Sequence, residues 1–106
     1  MNQSTPTNVP PELLRTFVAV CDARSFTEAA RTLGLTQPAV SGRMRRLQAL
    51  LKISLFDKSA PGVVLTAKGK IILRMAKEFI ALQNRFVETV SEIDQTAVPR
   101  APARLT

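Results

Sequence analysis

The sequence predicts a mostly α-helical chain: three short helices, a β-hairpin after the third, and one long terminal helix. Three observations predict it. Apolar residues recur at helical spacing in four separate stretches. Capping residues, glycines and prolines fall where those stretches begin and end. The one interval without helical spacing, ISLFDKSAPGVVLT, places a turn signal, Ala60-Pro61-Gly62, among β-prone residues. The 106 residues amount to about one domain, and 45% of them are hydrophobic, enough for a compact core.

The first helix starts near Pro10-Pro11, a pair suited to a first turn, and Leu13, Leu14, Phe17, Val18 and Cys21 form its apolar face before Asp22-Ala23-Arg24 ends it. The second opens on Ser25-Phe26-Thr27-Glu28, a capping box in which the serine accepts the Glu28 amide and Glu28 reaches back. Phe26, Ala29, Ala30 and Leu33 face inward, and Gly34 supplies a left-handed exit. Only Gly34 and Leu35 precede the next cap, Thr36, and Pro38 then sits in a first turn that needs no amide hydrogen. Val40, Met44, Leu47 and Leu51 step along one apolar stripe, while Pro38, Gly42, Arg45, Arg46 and Ala49 occupy the opposite face, flanked by Ser41 and Arg43. Two helices joined by so short a turn form a helix-turn-helix, whose second helix enters a DNA major groove. Small residues among arginines let the backbone approach base edges while arginine reaches phosphate or guanine.

The hairpin that follows reads as a wing, with Lys58 and Ser59 near its tip and Phe56 and Leu65 as anchors on the helices. Thr66 can cap the last helix, which runs to about Gln95; Gly69 in its first turn weakens it by about 1 kcal/mol. Ile72, Met75, Phe79, Leu82, Phe86 and Ile93 recur near a heptad spacing, the mark of a helix paired with another helix. At about 40 Å this helix outreaches the small globule before it, so its second half is expected to pair with a second copy of the chain. The expected organisation is a flexible arm over 1–8, a winged helix-turn-helix over 9–66, a linker and dimerisation helix over 67–95, and a flexible hinge or tail over 96–106.

Charge sharpens the partner. Fifteen Lys and Arg stand against eight Asp and Glu, a net of +7, and the pI is near 10.8. Residues 31–77 hold ten cations and one acid, Asp57, for +9, while each flank is −1. Such a field suits a polyanion, because every neutralised phosphate releases condensed counterions. Lys68, Lys70, Arg74 and Lys77 read instead as a solvated linker face.

The composition also excludes chemistry. There is no histidine and one cysteine, Cys21, so an intramolecular disulfide, a Cys/His zinc site and a histidine-based triad are ruled out. Cys21 lies on an apolar face and reads as a small buried hydrophobe. Six residues separate Gly62 from Gly69-Lys70 and Ile71 follows, which does not fit a phosphate-binding P-loop. No catalytic residue, metal ligand or cofactor is expected. Neither a signal peptide nor a membrane span is legible in the sequence, which reads as cytosolic.

The stretch from Leu13 to Gly69, with SFTEAARTL, TQPAVS, RRLQ, LFDK and LTAKG in order, resembles the N-terminal DNA-binding domain of LysR-type transcriptional regulators. The resemblance spans about residues 12–92. It implies a winged helix-turn-helix, a linker helix that dimerises antiparallel, recognition helices in successive major grooves of double-stranded DNA, and residence at the bacterial nucleoid. Full-length members continue into a ligand-binding domain that this sequence does not contain, so no small-molecule effector is expected here; a tetramer is open to a full-length protein. Carried over, Thr36, Gln37, Pro38 and Ser41 match positions that approach bases and phosphates, Arg43 matches a frequent DNA contact, Ser25 a backbone contact, and Lys58 a wing cation that meets phosphate. Gln37, Ser41 and Arg43 would read bases; Arg45, Arg46, Lys52 and Lys58 would grip phosphates. Four positions depart from the family pattern. Gly42 stands where a long polar reader is common, Gln48 replaces a glutamate, Lys52 replaces a glycine, and Pro61 replaces a minor-groove arginine. The rival reading is a winged-helix protein-interaction module that does not bind DNA.

Overall fold

The computed structural model describes residues 8–97. The arm expected over 1–8 and the tail over 96–106 fall almost wholly outside that range. The elements are α1 (Pro11–Ala23), α2 (Phe26–Leu33), α3 (Gln37–Leu51) and α4 (Ala67–Glu92), which ends in a π-helical turn, Ile93–Ala97.

α1 buries Leu13, Thr16, Phe17 and Val20. The apolar face expected from the sequence is thus rotated: Leu14, Val18 and Cys21 lie half-buried on its flank. A threonine can occupy the centre because its hydroxyl is satisfied. Thr16 Oγ1 donates to the Glu12 carbonyl at 2.7 Å and accepts from Arg43 Nη1 at 3.1 Å.

The caps follow the sequence closely. Ser25 Oγ accepts the Glu28 N–H at 3.0 Å. The reciprocal half of the box is not formed; Glu28 pairs instead with Arg31 at 3.4 Å on the exposed side. Gly34 takes φ +71°, and the Leu35 N–H returns to the Ala30 carbonyl at 2.9 Å, closing a Schellman turn. Thr36 Oγ1 accepts the Ala39 N–H at 3.2 Å and opens α3. α3 ends on Lys52 with φ 57° and ψ 39°, a left-handed conformation that costs a non-glycine residue about 1–2 kcal/mol.

The wing departs from expectation. In place of a two-stranded hairpin, the described residues show one antiparallel bridge, Phe56 with Leu65. It is flanked by hydrogen bonds from Asp57 N–H to Val64 O at 2.7 Å and from Thr66 N–H to Leu55 O at 3.0 Å. The cause is local. The Asp57 carboxylate accepts both the Ser59 N–H at 3.0 Å and the Ser59 hydroxyl at 2.6 Å. That Asx turn curls the chain one residue after Phe56, and proline at 61 offers no donor to a ladder.

The two expected anchors do pack inward. Phe56 meets Phe17 edge-to-face at 5.7 Å and Phe26 at 5.5 Å, and Leu65 packs against the core of Leu13, Phe17, Val20, Val40, Met44, Leu47 and Leu55. Gln48 fastens this segment: its Oε1 accepts the Leu55 N–H at 2.8 Å and its Nε2 donates to the Met44 carbonyl at 3.3 Å. Replacing Gln48 by leucine leaves the Leu55 amide without its acceptor, and urea unfolding should register a loss of about 1–3 kcal/mol. An unchanged midpoint would show that this tie contributes nothing.

α4 begins on Thr66, whose hydroxyl accepts the Gly69 N–H at 2.9 Å and donates to the Ser54 carbonyl at 2.6 Å. Its first half packs on α1 through Ala76, Ile72 and Leu73. Lys77–Asp22 at 3.4 Å and an Arg15–Gln83 hydrogen bond continue that seam. Beyond it the apolar side is uncovered: Leu82 is 55%, Phe86 69% and Val90 51% exposed. Among the described residues no helix is long and apolar enough to cross a membrane.

Candidate nucleic-acid interface

The burial of Val40, Met44 and Leu47 fixes the rotation of α3 and therefore what it shows to solvent. Gln37, Pro38, Arg45 and Arg46 are exposed; Ser41, Gly42 and Arg43 are half-buried beside them. Gln37 Nε2 donates to Ser41 Oγ at 3.0 Å, so the first two turns present a joined amide–hydroxyl pair. Arg43 turns back toward α1, where its guanidinium meets the buried Thr16 hydroxyl. Arg45 and Arg46 form no hydrogen bond or ion pair with the described residues. Cations without a partner in the fold keep their full capacity for an external anion.

Ser41, Arg45 and Lys58 come together around one open cleft of about 450 Å³ between α3 and the 57–62 turn, with Phe26 and Phe56 as its floor. Asp57 also lines it. Its carboxyl is held below the usual range by the Ser59 hydroxyl and then by the Ser59 N–H. The single acid of the basic middle is therefore committed to shaping the turn. Ser25 and Thr36 each accept one helix amide, leaving the hydroxyl hydrogen to donate outward. Lys52 stands apart: at the far end of α3 it lies about 20 Å along the helix from Gln37.

The expected pairing residues divide. Ile72 packs against the core, whereas Met75, Phe79, Leu82, Phe86 and Ile93 are exposed, together with Ile71, Val87 and Val90, which the heptad reading left out.

Sequence reasoning missed two positions that build this face. Thr16 falls between Leu13, Phe17 and Val20, and the spacing 13, 16, 17, 20 is that of a helix core stripe; its polar side chain hid it. Gln48 occupies the equivalent slot after Met44 on α3, where the sequence alone shows only a polar residue in place of a glutamate.

Cys21 sits away from the face. Burial first, and then the neighbouring Asp22, push its thiol up to about 11, with Lys77 opposing. The sign is that of a thiol that stays protonated through neutral pH. Iodoacetamide at pH 8 should alkylate folded Cys21 on the order of a hundredfold more slowly than an unperturbed cysteine. Equal rates would contradict the buried environment.

Three helices around one core, a three-residue turn between α2 and α3, a solvent-facing cationic side on α3 and a turn in the wing position define a winged helix-turn-helix module. Residues 11–70 match the family of bacterial regulatory helix-turn-helix proteins, lysR family, and the chain belongs to it. Over 82 residues it is 45% identical to YxjO, an uncharacterized HTH-type transcriptional regulator of Bacillus subtilis (strain 168), covering 77% of this chain and 28% of that one. Over 72 residues it is 38% identical to the HTH-type transcriptional regulator TfdT of Cupriavidus pinatubonensis (strain JMP 134 / LMG 1197), covering 68% and 32%. The chain thus spans 28% to 32% of the length of these curated relatives. Its backbone matches the crystal structure of the BenM_DBD/catB site 1 DNA complex with a TM-score of 0.80 at 27% identity, covering 86% of this chain and 98% of that one. The CbnR_DBD–DNA complex matches with a TM-score of 0.74 at 29% identity, covering 82% and 100%.

Proposed function

We propose that the chain is the DNA-binding domain of a LysR-type transcriptional regulator, binding double-stranded DNA sequence-specifically as a homodimer. The observation that carries this is the solvent face of α3: two partnerless arginines beside a joined Gln37–Ser41 pair, in a fold whose BenM_DBD and CbnR_DBD relatives were crystallised with DNA.

In this reading residues 9–66 are the DNA-binding unit and 67–95 the linker through which two copies pair. The first turn of α3, with its positive helix end and the hydroxyls of Ser25 and Thr36, meets phosphates, as do Arg46, Lys52 and Lys58. Gln37 and Ser41 approach base edges. Arg43 keeps donors beyond the one spent on Thr16, since a guanidinium carries five N–H groups, and its first task is to hold α3 against α1. The second copy covers the exposed Met75, Phe79, Leu82, Phe86 and Ile93 side of α4. The site of action is the cytoplasm, at the nucleoid, and the work is recognition, with no catalytic step and no cofactor.

Selection of bound duplexes from a random pool tests the proposal, with light scattering on the same sample for its mass. A two-fold symmetric motif recovered by a dimer is the expected result. A pool that never departs from random would overturn it and favour the protein-interaction module.

A further inference from the structure

Gly42 lies in the middle of α3 in ordinary helical backbone. Glycine there is less stable than alanine, and no positive φ asks for it. Nor does packing. Beyond the helix's own backbone, a Cβ at Gly42 would find only Arg45 Nη2 within 4 Å, at an ordinary 3.7 Å. Gly69 is the contrast: there a carbonyl from another segment fills the space. What lies beside the bare backbone of Gly42 is the guanidinium of Arg45, exposed, without a partner in the fold, and sharing its cleft with Ser41 and Lys58. Of the three arginines on α3, Arg43 is turned away to Thr16. Arg46 lies one residue, about 100° of helix rotation, further round.

We propose that Arg45 is a base-reading residue that recognises a guanine in each half-site, with the bare backbone of Gly42 keeping longer side chains away from its guanidinium. The inference deepens, and rests on, the DNA-binding reading above. A planar fork of donors matches guanine O6 and N7 together, the commonest specific contact in the major groove. Arg46, by contrast, faces the rim and neutralises a phosphate.

The test is duplex selection with the wild-type domain and with Arg45→Ala, Arg45→Lys, Arg46→Ala and Gly42→Gln, each first checked for a wild-type helical spectrum. Affinity is then followed against salt on the selected site. The wild type should enrich a symmetric motif with guanine at one position per half-site. Arg45→Ala should lose roughly tenfold to a hundredfold of the preference for that guanine and leave the other positions as they were. Arg45→Lys should keep the charge and still lose most of the preference, because an ammonium lacks the fork. Arg46→Ala should weaken all sequences alike and reduce the slope of log K against log salt by about 0.9. Gly42→Gln should crowd Arg45 and change the preferred base at the same position. A wild-type motif that Arg45→Ala leaves intact, with all sequences weakened equally and the salt slope reduced, overturns the assignment of Arg45 alone. No motif with the wild type overturns the DNA-binding reading and this inference with it.

Discussion

On the proposed pairing through α4, replacing Leu82 and Phe86 together by glutamate should convert the dimer into monomers and weaken binding to a two-half-site duplex by about a hundredfold or more. Both side chains stand on the outer side of α4, 55% and 69% exposed, and neither belongs to the core of the winged unit. The substitution therefore leaves the fold of one chain intact. In the dimer it places four carboxylates in an apolar seam, where unpaired charge is strongly disfavoured. The loss in DNA binding follows because a tethered second half-site binds at high effective concentration and a free one does not. Sedimentation equilibrium gives the mass and a fluorescence titration the affinity. A variant that stays dimeric, or that is monomeric and binds as tightly as before, contradicts the account of α4.

Gly69→Ala will destabilise the fold by about 1–3 kcal/mol or more, although helix propensity alone predicts a gain of about 1 kcal/mol. The added Cβ would lie 2.3 Å from the Leu55 carbonyl oxygen and 3.1 Å from its carbon. That backbone cannot retreat freely. The Leu55 N–H is held by Gln48, its carbonyl accepts the Thr66 N–H, and its side chain is fully buried. The glycine at the start of α4 is thus the seat on which the wing segment rests. For a domain of this size each kcal/mol shifts Tm by about 4–8 °C, so a melting scan should show a fall of roughly 10 °C. A Tm equal to or above wild type would show that Leu55 gives way at little cost.

How much of this was legible depended on range. Ser25, Thr36 and Thr66 were read correctly as caps because each bonds an amide three residues on, a distance the sequence displays directly. The same holds for Gly34. The left-handed exit at Arg24, φ 54°, carried no such signal, since arginine is an unusual residue there. The wing failed for a local reason of a different kind. β-prone residues at 63–65 announced a ladder, and the side chain of Asp57 outcompeted it by recruiting Ser59. Gly69 read as a weak helix residue because the atom that requires it, the Leu55 carbonyl, is fourteen positions away in sequence. For the candidate site, the exposed side of α3 was readable from the Val40, Met44, Leu47 stripe. That Arg43 would turn inward was not, because its partner Thr16 lies on another helix. The clustering of Arg45 with Lys58 needed the fold of the turn as well as its sequence.

Hydroxyl-radical footprinting of the proposed dimer on its selected duplex reads out where the two α3 helices sit on DNA. Two α3 helices presented by a two-fold pair should each enter a major groove, with protected patches whose centres are separated by whole helical turns, about 10 bp or a multiple. The α4 variant described above should abolish the paired pattern at the same protein concentration. One unpaired patch from a dimer, or protection without helical phasing, would contradict the claim that this face of α3 is built to read DNA twice.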